Sequence, residues 1–130
     1  MQLRDAKQTI FIPDHWGLFG GSIEPGESAT DALRRELAEE LEFEAGAIEP
    51  FYETIIELPC SPPRFDRMSF LIVPIESGDL AGMVQHEGAA KRLFTPEKLM
   101  AQPRLAPWDL AAILMHARRN TLFGLPRAEH

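Results

Sequence analysis

The sequence predicts an α/β or α+β fold, with helices packed on a mixed β-sheet, in one domain spanning residues 1–130. Three observations carry that expectation. Strand-like and helix-like patterns interleave along the chain. Residues 28–41 are helix-forming almost throughout. Residues 51–58 and 68–75 are rich in β-branched and aromatic side chains.

In chain order, Thr9-Ile10-Phe11-Ile12 is a short β-prone run closed by Pro13, and a glycine turn with Gly17, Gly20 and Gly21 follows. The next element is the strongest. Ser28 is placed to cap a helix, with Asp31 three residues on, and the interior to Leu41 consists almost wholly of Ala, Leu, Glu and Arg. Two strands, 51–58 and 68–75, are joined by a proline-bearing loop over residues 59–67. A short strand ends near Leu93-Phe94. Thr95-Pro96 then opens a helix, with threonine as cap and proline at the first position. A last helix runs from Pro107 towards Arg119, with Trp108, Ala111, Ala112, Leu114 and Met115 on its apolar side.

Composition narrows the function classes. Hydrophobic residues make up 45% of the chain and charged residues 25%, as in ordinary globular proteins. No apolar run approaches the roughly 20 residues of a membrane span, and residues 1–7 lack the apolar core of a signal peptide. A lone cysteine, Cys60, suits a reducing cytoplasm, and its proline-rich surroundings offer no base to activate it. The net charge of −7 argues against non-specific nucleic-acid binding. It also means that an anionic phosphate substrate needs a bound cation to invert the local charge.

The informative segment is residues 21–43. Glu36, Glu39 and Glu40 stand at i, i+3 and i+4, so a helix places them on one side. Glu40 lies beside the apolar stripe of Leu33, Leu37 and Leu41, where carboxylates repel one another and titrate high. Two readings are open: a solvated acidic face, or a site for a hard cation such as Mg²⁺ or Mn²⁺. The turn before the helix favours the second. Gly20-Gly21 allows close backbone approach and can aim a carbonyl at an ion. Glu27 can brace the loop through backbone N–H groups, and Arg35 stands one turn before Glu39.

This segment resembles the Nudix box: Gly, five residues, Glu, seven residues, Arg-Glu, an aliphatic, any residue, Glu-Glu, any residue, Gly and an apolar residue. Gly21, Glu27, Arg35-Glu36, Leu37, Glu39-Glu40 and Phe43 hold those places. Glu42 stands where the family has glycine. A left-handed helix end at that position costs a non-glycine residue roughly 1 kcal/mol, so the departure bears on the helix terminus rather than on the ligands. The resemblance implies a Nudix α/β/α sandwich in which Glu36, Glu39 and Glu40, aided by the Gly21 carbonyl, bind Mg²⁺ or Mn²⁺. Arg35 and Glu27 would be braces. One of the glutamates, or Glu87 from the later Gln85-His86-Glu87-Gly88 turn, would be the general base; a plain turn glutamate is the alternative for Glu87. The ion would neutralise diphosphate oxygens and prepare water for in-line attack on phosphorus.

The remaining polar residues carry weaker signals. His86 reads as a solvent-exposed loop histidine, a base or a substrate contact, and Trp16 as a core anchor or a base-stacking ring. Arg64 and Arg67, flanking Phe65, read as surface arginines or as a phosphate grip. His15, His116 and His130 have no metal-ligand spacing. Pro59 falls a residue away from the proline that marks ADP-ribose-cleaving members, and no tyrosine stands where dinucleoside polyphosphate hydrolases place one. Nudix domains also have a strand before the stretch that matches residues 1–4. The chain therefore either begins inside the domain or leaves a sheet edge open to pair in a homodimer.

The resemblance implies a cytoplasmic Mg²⁺-dependent hydrolase. It would cleave a diphosphate bond in a nucleoside diphosphate linked to another moiety, or in a nucleoside triphosphate, with small molecules rather than nucleic acid or membrane as partners. The alternative is a catalytically inactive Nudix-fold module that binds a nucleotide metabolite.

Overall fold

The structure is a computed structural model and describes residues 1–3, 15–58 and 60–122. The strand expected at residues 9–12, together with Pro59 and His130, lies outside those residues. The chain divides into two compact units, Phe19–Gly88 and a second formed by Met1–Leu18 with Ala89–His130.

The first unit carries the acidic helix, α1 (Ala29–Leu41). Ser28 caps it as expected: its backbone is extended and its Oγ accepts the Asp31 N–H at 3.1 Å. The apolar stripe packs inward, with Leu37 and Leu41 in a cluster with Ala45 and Met83, lined by Phe19, Leu33, Phe43, Ile48, Val73 and Leu80. Burial of these side chains fixes which face of α1 turns outward. At its C-terminus, Glu42 adopts the left-handed conformation that glycine would take, with φ 50° and ψ 37°. Its N–H still reaches the Ala38 carbonyl at 3.1 Å, and the Phe43 N–H reaches that of Leu37 at 3.2 Å. The departure from glycine thus leaves the helix end in place.

A long antiparallel hairpin follows, β3 (Glu49–Leu58) with β4 (Arg64–Ile72), in register from Glu49 opposite Ile72 to Leu58 opposite Arg64. A register shift lies between Pro50 and Tyr52, and the Tyr52 and Phe70 rings stack at 5.9 Å. Here the sequence expectation is corrected. The loop is shorter than residues 59–67, and Arg64 to Arg67 belong to β4, because backbone pairing across from Ile55 to Leu58 continues past the apolar run. The strand also ends at Ile72 rather than residue 75. A one-turn helix, α2 (Asp79–Gly82), closes the unit.

The second unit contains β1 (Gln2–Leu3), flanked on both sides by antiparallel partners, β2 (Trp16–Gly17) and β5 (Ala90–Lys91). Residues 2–3 are therefore an interior strand rather than an open edge. A parallel bridge joins Trp16 to Leu105. α3 (Pro96–Met100) begins on the Thr95 cap, and α4 (Pro107–Leu122) completes the chain. Trp16 is buried at 7% exposure, meets Phe94 edge-on at 4.9 Å and lies under the Arg92 guanidinium at 5.4 Å, the environment of a core anchor. Buried Asp109 accepts the Leu18 N–H at 2.9 Å. Among the described residues no helix is long and apolar enough to cross a membrane.

Candidate active site: the acidic face of the first helix

Helix α1 and the loop before it place all the box residues in one unit. Glu40 projects beside the apolar stripe and is only 8% exposed. Its Oε2 is buried and, among the described residues, has no hydrogen-bond partner. The turn after α2 brings Glu87 within hydrogen-bonding reach of Glu40. Burial above all, then the hydrogen bond with Glu87, then repulsion from Glu87, Glu36 and Glu39, push the Glu40 carboxyl up to about 8. Burial and the surrounding carboxylates thus favour the protonated form of Glu40, which lets it approach the exposed Glu87.

Arg35 organises the other carboxylates. Its Nε meets Glu27 Oε1 at 2.8 Å and its Nη2 meets Glu27 Oε2 at 3.0 Å, a two-pronged pair. Nη2 also donates to the Ser22 carbonyl at 3.0 Å, and Nη1 reaches Glu36 at 2.8 Å and Glu39 at 3.4 Å. Glu27 in turn accepts the Glu24 N–H at 2.9 Å. These contacts tie the loop of residues 22–27 to the helix. The Arg35 hydrogen bond chiefly, with the Glu24 N–H, holds the Glu27 carboxyl below the usual range, and Glu27 and Glu36 raise Arg35. Arg35 braces Glu27 and Glu36 more closely than Glu39, the residue one turn away that spacing had singled out. Glu39 has a side chain 61% exposed.

Gly21 approaches Glu36 so closely that a Cβ on it would overlap the Glu36 carboxylate. The backbone of the glycine turn and a carboxylate of α1 therefore occupy one small space, as a shared ligand set requires. As they stand, no three His, Cys, Asp or Glu side chains among the described residues are gathered to hold an ion, because Glu36 and Glu39 turn to Arg35. The donor chemistry nevertheless fits a hard divalent cation: four carboxylates, one with a buried, unsatisfied oxygen, beside a backbone turn.

Other residues fall elsewhere. Arg64 is held by Asp66 on its own strand at 2.8 and 2.5 Å, and Arg67 faces Glu53 at 3.6 Å, so both sit in hairpin ion pairs outside the α1 network. Phe65 is exposed on the same strand. Cys60 is exposed, with its thiol towards the Pro62 carbonyl at 3.4 Å. Burial, followed by Arg119, lowers the His116 imidazole. His86 is engaged: its Nε2 lies 2.7 Å from Glu42 Oε1. That pair escaped sequence reasoning, which weighed Glu42 as a glycine replacement and His86 as a loop residue, a base or a substrate contact, and did not join the two.

With an α+β fold and this arrangement in hand, comparison with known proteins settles the class. The NUDIX domain profile matches residues 4–115, and the chain belongs to the Nudix family. The solution structure of the Escherichia coli ORF135 protein superposes with a TM-score of 0.70 at 30% identity, covering 92% of this chain and 80% of that one. Nucleoside triphosphatase NudI of Escherichia fergusonii is 62% identical over 30 residues, 23% of this chain and 21% of that protein. NudI of an Enterobacter species is 49% identical over 42 residues, 31% and 30% of the two chains. Chloroplastic Nudix hydrolase 19 of Arabidopsis thaliana is 42% identical over 43 residues, 33% of this chain and 10% of that one. These curated relatives are thus matched over less than a third of their length.

Proposed function

We propose that the protein is a divalent-cation-dependent hydrolase that cleaves a diphosphate bond in a nucleoside triphosphate or in a nucleoside diphosphate linked to another moiety. The single observation that carries this reading is Glu40: a buried carboxyl with an unsatisfied oxygen, pressed against Glu87 and raised by burial first and by its acidic neighbours second. The buried Oε2 would gain a partner if a cation took the place of the proton on this carboxyl. The NudI relatives, by their name, support a nucleoside triphosphate.

Glu36, Glu39 and Glu40, with the Gly21 carbonyl, would hold Mg²⁺ or Mn²⁺, and Glu36 and Glu39 would turn from Arg35 to do so. When bound, the cation neutralises phosphate oxygens and makes a water acidic enough to attack phosphorus. The chain's own residues do the rest. Arg35 and Glu27 keep the glycine turn fixed against α1. Glu87, which meets Glu40 from its own turn, would take the proton of the attacking water.

The test is a panel of nucleoside triphosphates and nucleoside diphosphate derivatives, with release of pyrophosphate or nucleoside monophosphate followed with and without Mg²⁺. We expect cation-dependent release that Glu39→Gln and Glu40→Gln each abolish, on the order of 10²-fold or more, with circular dichroism unchanged. Near-normal turnover by both variants contradicts the assignment.

A further inference from the structure

The Glu42–His86 pair joins two positions that the proposed chemistry leaves unused. Glu42 is the only non-glycine with positive φ among the described residues. A side chain in that conformation persists where surrounding contacts over-determine it, and here its carboxylate reaches His86 Nε2 at 2.7 Å. Two backbone bonds bind the same loop to the same helix end: the Val84 N–H to the Leu41 carbonyl at 2.9 Å, and the His86 N–H to that of Glu40 at 2.8 Å. Past His86 come Glu87, whose carbonyl accepts from Gln85 Nε2 at 2.6 Å, and then Gly88 at φ 81°. The carboxyl that faces Glu40 therefore hangs on a segment fastened at residues 84 and 86 and followed at once by a glycine in the left-handed region.

We infer that the Glu42–His86 pair is a latch that holds the turn of residues 83–88 on the end of α1, so that Glu87 is presented to Glu40. Glu42 and His86 are positioning residues, and neither touches the reacting atoms. Glycine at position 42 would suit the backbone and could not make this tie, so this chain exchanges the easier helix end for a side-chain anchor. The positioning role rests on the proposed hydrolase activity; the latch itself does not.

The experiment is a double-mutant cycle of Glu42→Gly, His86→Ala and the pair, with Glu42→Gln as the conservative variant. Exchange of the Val84 and His86 amides is followed by NMR in cation-free protein, and kcat and KM are followed with Mg²⁺ and the best substrate of the panel. We expect each single variant to speed exchange of both amides about 2- to 5-fold, the range an exposed ion pair permits. The melting temperature should be unchanged or raised in Glu42→Gly. Turnover should follow, with kcat lowered about 3-fold or more and KM little changed. The double variant should be no worse than either single one, and Gln, which keeps the reach and an acceptor oxygen, should restore most of both signals. Unchanged exchange overturns the latch. Faster exchange with normal kcat overturns the positioning role, and so does a His86→Ala loss much larger than that of Glu42→Gly, which marks a histidine acting by itself. If the wild-type protein hydrolyses nothing, the positioning role falls with the proposed function, while the exchange result still decides whether the latch exists.

Discussion

Glu40 is the residue on which stability and the proposed chemistry meet. Its carboxyl titrates near 8 when folded against an ordinary 4.5. The native state therefore holds a proton that the unfolded chain gives up, and linkage makes this group's contribution fall as pH rises from about 4.5 to about 8. Glu40→Gln keeps the neutral form at every pH. In cation-free protein the melting-temperature advantage of Glu40→Gln over wild type should be small at pH 5 and grow to several degrees by pH 8.5; a difference that does not change with pH would contradict the burial argument. Comparing the two proteins cancels the titrating groups that do not interact with Glu40. Gly21 gives a second residue-scale prediction. Its Cβ would displace only the flexible end of Glu36, so Gly21→Ala should melt within a few degrees of wild type. Its cation affinity, measured by calorimetry, should nevertheless fall about 10-fold or more, since ligand placement tolerates little error. Normal affinity would remove Gly21 from the ligand set.

Among the elements, α1 was legible because its signals are local and agree: the Ser28 cap, the Leu33, Leu37 and Leu41 stripe, and residues that favour a helix throughout. The partial burial of Glu40 followed from the same arithmetic of 100° per residue. The start of β4 was not legible. Arg64, Asp66 and Arg67 look like a loop in sequence, and only pairing with Leu58, Ile56 and Ile55 across the hairpin makes them strand. Short elements such as α2 and β5, with four and two residues, are too brief for any periodicity to show. At this scale the brace between α1 and its preceding loop makes its own prediction. Lysine at position 35 can reach one carboxylate but cannot fork across Glu27 while donating to Ser22 and Glu36. Arg35→Lys should therefore lower kcat about 10-fold or more with the far-ultraviolet dichroism intact, and full activity would show that the brace is dispensable.

At the scale of the molecule, the α+β class was readable from interleaved patterns and the family from the box. The non-local contacts were not. The sequence placed Glu42 and His86 44 residues apart with no shared motif, and only the fold brings them to 2.7 Å. Buried Asp109, which holds the Leu18 N–H across 91 residues, is similarly invisible in one dimension. The same holds for β1, whose two antiparallel partners come from residues 16–17 and 90–91. What the whole chain assembles is an acidic protein with one carboxyl raised by burial and by its acidic neighbours.

That state has a direct thermodynamic signature. A cation entering the proposed site would displace a proton held by Glu40. Calorimetric titration with Mg²⁺ at pH 7, in two buffers of different ionisation enthalpy, counts the protons released. The account predicts saturable binding with release of about one proton per ion, and loss of that release in Glu40→Gln. Absence of binding, or binding with no proton release, would contradict it.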